Sequence, residues 1–194
     1  ELSLGYGHTW NNNFRWDSNF TLSHNKNKIK ELVRDYVHPE TGELINKDRL
    51  DVGGLGKARF ILKEGGTLGD LYTQSDLKRD DNGMVDIDPT GIVAIENNLP
   101  DIKLGSVFPK ANLAWSNHFS WKGISLSALF TARIGGIVYS ATEAAMDQYG
   151  VSERSALARD NGGVLVNNRT VVDAQNYYTT IGSESGLPQY YTYN

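Results

Sequence analysis

Apolar and polar residues alternate along a stretch near the start of this chain. Apolar or aromatic residues take every second position on either side of three consecutive asparagines. Alternation with period two predicts strands whose side chains project to opposite faces, and asparagines favour a tight turn. The sequence therefore predicts a hairpin with strands over 2–10 and 14–24 and a turn at 11–13.

A second hairpin is predicted later in the chain. The same alternation runs over 111–121 and 124–134, and Lys122 and Gly123 form the turn between them. Leu129 breaks the alternation once. We expect long antiparallel strands in both hairpins.

Aromatic residues crowd the tight turns of both hairpins. Trp10, Phe14 and Trp16 flank the first turn, and Phe119 and Trp121 precede the second. Amphipathic rings settle at membrane interfaces, and strands of ten or more residues exceed the roughly five or six usual in soluble proteins. A soluble sandwich with one face on its core also alternates, so it stays open as an alternative.

The apolar faces of these strands give the residues expected to face lipid, while the opposite faces are small and hydroxylated and suit a wet lumen. In this interpretation Leu126 faces outward and Ser127 faces inward. The expected membrane-facing residues are Leu2, Leu4, Tyr6, Phe20, Leu22, Leu113, Trp115, Leu126 and Phe130.

The connection between the hairpins is long and charged. The stretch 26–103 holds 12 of the 19 basic and 15 of the 23 acidic residues, with only short apolar runs. It predicts a long loop region of the kind that extracellular loops form. Within it, 57–63 with Phe60 and Leu62 on one face indicates a strand, so a further pair of strands is expected there.

The last third of the chain predicts helices and then a loop. Segments 141–149 and 152–158 are rich in Ala, Glu and Arg and are separated at Gly150, and Ser152 can cap the second. Residues 161–194, with Gly, Asn and Tyr in excess, predict an irregular loop.

Composition narrows the classes of function. A net charge of −4 gives no electrostatic footprint for nucleic acid, which we exclude as a partner. The chain has no Cys, and no stretch approaches the roughly 20 apolar residues that a membrane helix needs. The first ten residues lack the features of a signal peptide. Any contact with a membrane would therefore be made by strands.

Four segments follow one another in a distinctive order along the chain. They are ELSLGYGHTWNNNFRWDSNFTLSHNKNKI, GGTLGDLY, RDDNGMVDIDPTG and NNLPDIKLGSVFPKANLAWSNHFSWKGISLSALFTARIGGIVYS. In the last segment a Pro-Asp lead-in precedes two long strands joined by Trp-Lys-Gly, followed by a Gly-Gly and Tyr exit. The order of these segments resembles the late C-terminal barrel region of SusC/RagA-type TonB-dependent transporters.

The resemblance implies an all-β fold, in which residues 1–194 are an incomplete portion of an antiparallel transmembrane barrel of about 22 strands. It implies an outer-membrane location in a Gram-negative cell and import of a glycan or peptide. The implied partners are a SusD-like surface lipoprotein and TonB, which acts through a plug that this chain does not show. We expect other polypeptide to pair with both sheet edges, no cofactor and no enzymatic activity.

The sequence contains no motif with the spacing of a known metal or catalytic site. Carboxylates surround Gly83 in the segment 80–88, but an EF-hand is excluded because its first and twelfth ligand positions would fall on Lys78 and Pro89. A solvated turn is favoured there, and no metal or catalytic site is predicted. The four His residues lack metal-ligand spacing. They are His8, His24, His38 and His118.

Two rival functions remain. A glycoside hydrolase would need two opposed carboxylates, which the strand faces almost lack. A secreted soluble β-domain could bind carbohydrate through exposed aromatic side chains. The candidates for that role are Tyr72, Tyr177, Tyr178, Tyr190 and Tyr191.

Overall fold

Antiparallel sheets dominate the computed structural model of the chain, which describes residues 1–10, 13–183 and 186–194. Strands make up 51% and helices 15% of the residues. The elements are β1 (Leu2–Thr9), β2 (Phe14–Ser23), β3 (Val33–Val37), β4 (Leu44–Lys47), β5 (Arg49–Leu55), β6 (Ala58–Lys63), β7 (Asp70–Leu77), β8 (Ile95–Ser106), β9 (Ala111–Trp121), β10 (Ile124–Ile134), β11 (Val138–Tyr139), α1 (Ala141–Gln148), α2 (Glu153–Asp160), β12 (Val164–Val166), β13 (Thr170–Val172), α3 (Ala174–Gly182), a 3₁₀ helix (Pro188–Tyr191) and β14 (Thr192–Tyr193). Within the described ranges no sheet closes on itself.

The chain forms two compact units. Unit 1 comprises residues 1–27 and 108–136, and unit 2 comprises residues 28–107 and 137–194. Unit 1 is one four-stranded sheet in the order β1-β2-β9-β10. Unit 2 contains the remaining strands and all three α-helices.

The four strands of unit 1 lie where the alternation predicts them, each within one residue of the expected ends. The expected turn at Lys122 and Gly123 has positive φ at both positions, 45° and 88°, which suits the twist of a two-residue hairpin. Of the turn expected at 11–13, Asn11 and Asn12 lie outside the described residues. The amide of Trp10 donates to the carbonyl of Phe14 across it, at 2.8 Å.

Unit 1 is a single layer of sheet. Asn117 is the only buried residue in its described part, and even the large apolar side chains of β10 are exposed, such as Leu126 at 64%. β1 and β10 are the two edges of this sheet. Their expected pairing with other polypeptide stays a prediction.

The prediction of a loop region over 26–103 is wrong. Six strands, β3 to β8, occupy half of it, and β5 to β8 form a four-stranded antiparallel sheet with its own buried residues. The pairing register of β5 with β6 shifts between Asp51 and Gly53, and that of β7 with β8 shifts twice. Because of these bulges, the alternation of apolar and polar residues is too short to be recognised in the sequence. The expected strand at 57–63 is confirmed as β6.

Asp101 on β8 ties all four strands of this sheet together. Its carboxylate accepts hydrogen bonds from Arg49 on β5, Lys63 on β6 and Gln74 on β7, at 2.6–3.0 Å. Its side chain is only 4% exposed. The hydrogen bond from Arg49 and that from Lys63 hold the pKa of Asp101 well below its usual range, against the opposing effect of burial.

This depressed pKa predicts acid sensitivity of unit 2. Because the carboxylate is favoured in the folded state, its contribution is fully present above the unfolded pKa near 4 and is lost as pH falls toward the folded pKa. We expect Asp101→Asn to lower the free energy of unfolding by about 2 kcal/mol at pH 7 and to flatten its dependence on pH below about 4. Hydrogen exchange of β5 to β8 between pH 3 and 7 measures this, and an unchanged pH dependence in the variant would contradict it.

The two helices expected before Asn161 are confirmed as α1 and α2, and Ser152 caps α2 by accepting from the amide of Ser155 at 3.1 Å. The prediction of an irregular loop over 161–194 is wrong. It contains the β12–β13 hairpin, α3, the 3₁₀ helix and β14, which pairs with β11. Elements of two to nine residues are too short to show a periodic pattern, although they bury side chains such as Leu187 and Tyr191.

A buried carboxylate organises the helical part of unit 2. Asp147 at the end of α1 has a fully buried side chain that accepts from Ser152 Oγ, from Arg154 Nε at 2.7 Å and from Tyr191 Oη at 2.8 Å. The Arg154 guanidinium also lies 4.7 Å from the centroid of the Tyr191 ring. This network joins α1, α2 and the 3₁₀ helix.

Candidate functional site

The register of unit 1 places all nine residues expected to face lipid on one face of the sheet. Cross-strand partners share a face, and the pairs include Leu4 with Phe20, Phe20 with Trp115, and Trp115 with Phe130. Leu126 lies on the same face, opposite Phe119. We call this surface the apolar face.

The apolar face carries all four tryptophans of the chain: Trp10, Trp16, Trp115 and Trp121. Towards the tight turns the rings form a contact series. Its ring pairs are Tyr6–Trp16, His8–Trp10, Trp10–Phe14, Phe14–Phe119 and Trp16–Phe119, with centroids 4.4–6.3 Å apart. The aromatic residues that the sequence places near the turns thus contact one another and form a cluster.

Two polar side chains on the apolar face, Asn117 and Ser18, accept hydrogen bonds from indole N–H groups. Trp16 Nε1 donates to Asn117 Oδ1 at 3.1 Å, and Trp115 Nε1 donates to Ser18 Oγ at 2.9 Å. An indole N–H in an apolar environment needs such an acceptor. The side chains of Asn117 and Ser18 are therefore paired with tryptophans of the same face, and they fit an apolar surface.

The opposite surface, which we call the polar face, carries mainly small or hydrophilic side chains. Arg15 and Asp17 form a bidentate ion pair at 2.6 and 2.7 Å, and His118 Nδ1 lies 2.8 Å from Ser127 Oγ. Gly7 on β1 makes room for Asp17, because a Cβ there would lie 2.6 Å from the carboxylate. Ser127 is thus opposite in orientation to Leu126, as the alternation predicts.

Two depressions lie mainly on the polar face. One of about 440 Å³ lies over the middle of the sheet beside Asp17, Asn19 and His118. The other, of about 390 Å³, lies towards the long connection, beside Asn112 and Arg133. Hydroxyl, amide and charged groups therefore share the lining of both depressions with apolar side chains.

The two ends of the sheet differ. Phe14 pairs with Trp121 and Trp121 with Ile124, so both tight turns lie at one end. The long connection leaves β2 and returns to β9 at the other end, where Ser23 pairs with Asn112. Short links at one end and long ones at the other are typical of strands that cross a membrane.

The tyrosines expected to bind carbohydrate are not exposed. Tyr72 is 6% exposed and Tyr191 is 1% exposed, and both lie in the interior of unit 2. Tyr177, Tyr178 and Tyr190 are half-buried against the same core, and burial raises the pKa of Tyr177 to about 12. Apolar packing explains these residues, so this part of the sequence interpretation is wrong.

The carboxylates around Gly83 fold into two successive turns. Asp80 Oδ1 accepts from the amides of Asn82 and Met84, and Asp88 Oδ1 accepts from those of Thr90 and Ile92, at 2.8–3.0 Å. Each carboxylate thus satisfies the backbone of its own turn. Across the described residues no group of three or more His, Asp or Glu side chains could hold a metal ion.

Of the four His residues, His118 lies on the polar face of a strand, where its Nδ1 contacts the Ser127 hydroxyl. His8 packs against Trp10 on the apolar face, and His24 Nδ1 contacts the carbonyl of Lys110. His38 accepts from backbone amides in the β3–β4 turn. His118 and Ser127 line the same depression, and the contacts of the other three His residues lie elsewhere in the described part of the chain.

Sequence reasoning missed Asp101 and Asp147, two carboxylates that each accept hydrogen bonds from side chains on several elements. Neither lies in a recognisable motif, because their partners come from separate elements. In the described part of the chain, none of the helices combines the length and apolar character needed to span a bilayer.

Comparison with known proteins gives no assignment: no protein-family model matches the chain, and no curated protein matches it.

Proposed function

We propose that this chain is part of an outer-membrane importer of the SusC type, with the apolar face of unit 1 against lipid and the polar face lining the lumen. The single observation that carries the proposal is the separation of the two faces. A one-layer sheet exposes aromatic and aliphatic side chains on one face, including Trp115 at 46% and Phe130 at 60%, and polar side chains on the other.

An exposed apolar surface of this kind needs a cover. Soluble monomers rarely expose contiguous apolar patches larger than a few hundred Å². Lipid provides that cover without a second protein layer, and the strands of 8–11 residues suit it, since a tilted strand of about 9–11 residues spans a bilayer. The aromatic cluster near the turns supports one membrane interface at that end.

The rest of the proposal follows from the family resemblance. Further strands of the same barrel pair with the β1 and β10 edges, a SusD-like lipoprotein covers the mouth, and TonB acts through a plug. The chain continues from β2 and from β10 into the residues of unit 2, and in this proposal these long connections are extracellular. Its compact fold makes it an ordered extracellular part rather than a flexible loop.

Tryptophan fluorescence tests the lipid contact, because all four tryptophans lie on the apolar face. We expect a detergent with brominated acyl chains to quench most of the emission, while aqueous iodide quenches little. Bromine quenches only fluorophores that touch the acyl chains. A soluble β-domain would give the reverse result, and that result would overturn the proposal.

Two single-tryptophan variants provide the matched control. With the four native tryptophans replaced by Phe, a tryptophan at Leu126 should be quenched by the brominated detergent, and one at Ser127 should respond to iodide instead. The two positions are adjacent in sequence and project to opposite faces. Equal quenching at both would show that neither face is selectively covered.

A further inference from the structure

We infer that a pocket in unit 2, between α1 and the turn that joins β5 to β6, binds a small neutral aromatic molecule that carries a hydrogen-bonding group, as a phenol does. The pocket has a volume of about 240 Å³. Every residue that lines it belongs to unit 2, so the pocket does not depend on the proposed contact of unit 1 with lipid.

One face of a helix forms a wall of the pocket. Ala141, Ala144, Ala145 and Gln148 of α1 line it, and their spacing of three and four residues places them on the same side of the helix. Three of these four side chains are single methyl groups, so no long apolar side chain of this face fills the space. A flat ring can lie against such a wall and contact several methyl groups at once.

The remaining walls set the size of the ligand. Leu55 and Gly56 line the pocket where β5 turns towards β6, and Gly182 lines it from the end of α3. Gly182 lets α3 approach α1 closely, because a Cβ there would lie 2.8 Å from the carbonyl oxygen of Ala144. An apolar cavity of about 150 Å³ can hold benzene. A pocket of about 240 Å³ therefore admits one ring with a substituent.

Two polar side chains in the pocket lack a hydrogen-bond partner. Tyr139 Oη and the side-chain amide of Gln148 form no hydrogen bond with any residue that the structure describes, although the backbone carbonyl of Gln148 accepts from Thr179. Burial raises the pKa of Tyr139, so its hydroxyl stays protonated and can donate as well as accept. Among the described residues that line the pocket, none is charged. This lining favours a neutral ligand whose hydroxyl donates to Gln148 and accepts from Tyr139.

Titration with 4-methylphenol tests the site. The full chain is held in dodecyl maltoside, and the methyl resonances of Ala141, Ala144 and Ala145 are followed by NMR. We expect saturable shifts of these three resonances. Toluene, which has the same ring and methyl group but no hydroxyl, is titrated in parallel. An absence of saturable shifts with 4-methylphenol would overturn the site.

Ala145→Leu tests the position of the ligand. Ala145 lines the pocket at an exposed position of α1, so a leucine there fills part of the space and should weaken binding of 4-methylphenol at least about 10-fold. Thr142→Leu is the matched control, because it introduces the same side chain at an exposed position of the same helix outside the lining. It should leave the affinity within about 2-fold. Unchanged binding in Ala145→Leu, or an equal loss in Thr142→Leu, would overturn the site.

Gln148→Leu and Tyr139→Phe test the hydrogen bonds. Each substitution keeps the approximate size of the side chain and removes one of the two polar groups. Each should weaken binding of 4-methylphenol by about 3- to 10-fold and should not weaken binding of toluene, which forms no hydrogen bond. An equal loss for both ligands would contradict recognition of a hydrogen-bonding group.

A tyrosine side chain of a peptide carries the same phenol, so a further titration uses N-acetyltyrosinamide, which presents the ring on a peptide backbone. We expect it to bind more weakly than 4-methylphenol, because the pocket admits only one ring with a substituent. Tighter binding of N-acetyltyrosinamide would assign the pocket to a peptide and overturn binding of a free small molecule.

Discussion

Leu126→Arg should sharply reduce the amount of folded protein in the outer membrane when the full-length protein is expressed in its host, as the proposed lipid contact of the apolar face requires. Leu126 is 64% exposed on the apolar face, two residues inside the tight-turn end of β10. Arginine facing lipid costs about 2–4 kcal/mol at the bilayer midplane and less near the interfaces, so we expect about 2 kcal/mol here. The heat-modifiable band in outer-membrane fractions measures the loss.

Ser127→Arg is the control at almost the same depth. Ser127 lies on the polar face, where its Oγ contacts His118 Nδ1 at 2.8 Å, and an arginine there can be hydrated. The substitution removes one exposed hydrogen bond and should leave the amount of folded protein nearly unchanged. Equal tolerance of arginine at both positions would mean that no side of this sheet faces lipid, and a soluble β-domain would become the better account.

Asp147→Ala should destabilise the helical part of unit 2 by about 3 kcal/mol, because removing one partner of a buried ion pair leaves the other partners unsatisfied. The Arg154 guanidinium would lose its carboxylate, and the buried Tyr191 hydroxyl would lose its acceptor. The half-exposed position of Arg154 limits the cost, since water can reach it. Hydrogen exchange over residues 137–194 measures the effect.

Glu143→Gln is the control for Asp147→Ala. It removes a negative charge beside Arg154 but leaves the buried contacts of Asp147 in place. Glu143 is 32% exposed and lies 3.5 Å from the same Arg154, so it contributes as a surface partner only. We expect less than about 1 kcal/mol from its replacement. If both variants lowered protection by the same amount, the Asp147 network would not be what holds α1, α2 and the 3₁₀ helix together.

The hairpins of unit 1 could be predicted from sequence because their determinants are local. A strand projects successive side chains to opposite faces, so a pattern of period two directly gives the two surfaces, and a turn pair such as Lys122-Gly123 fixes which residues pair. The same local signal placed Leu126 and Ser127 on opposite faces. Only the register, however, showed that β2 pairs with β9 across the whole of the intervening connection.

Apart from β6, α1 and α2, the elements of unit 2 were decided by tertiary structure. Its strands contain bulges and its later elements are very short, so neither period survives in the sequence, and 26–103 and 161–194 resembled loops. Its tyrosines resembled binding residues because composition does not distinguish an exposed ring from one packed in a core, as Tyr72 and Tyr191 are.

The sequence by itself determined the two-faced sheet, its tight turns and the helices α1 and α2, because each depends on neighbours within a few residues. The tertiary structure alone decided the sheet of unit 2 and the contacts of Asp101 and Asp147. These features join elements that are distant in the chain. No local pattern of apolar and polar positions records which distant side chains will meet.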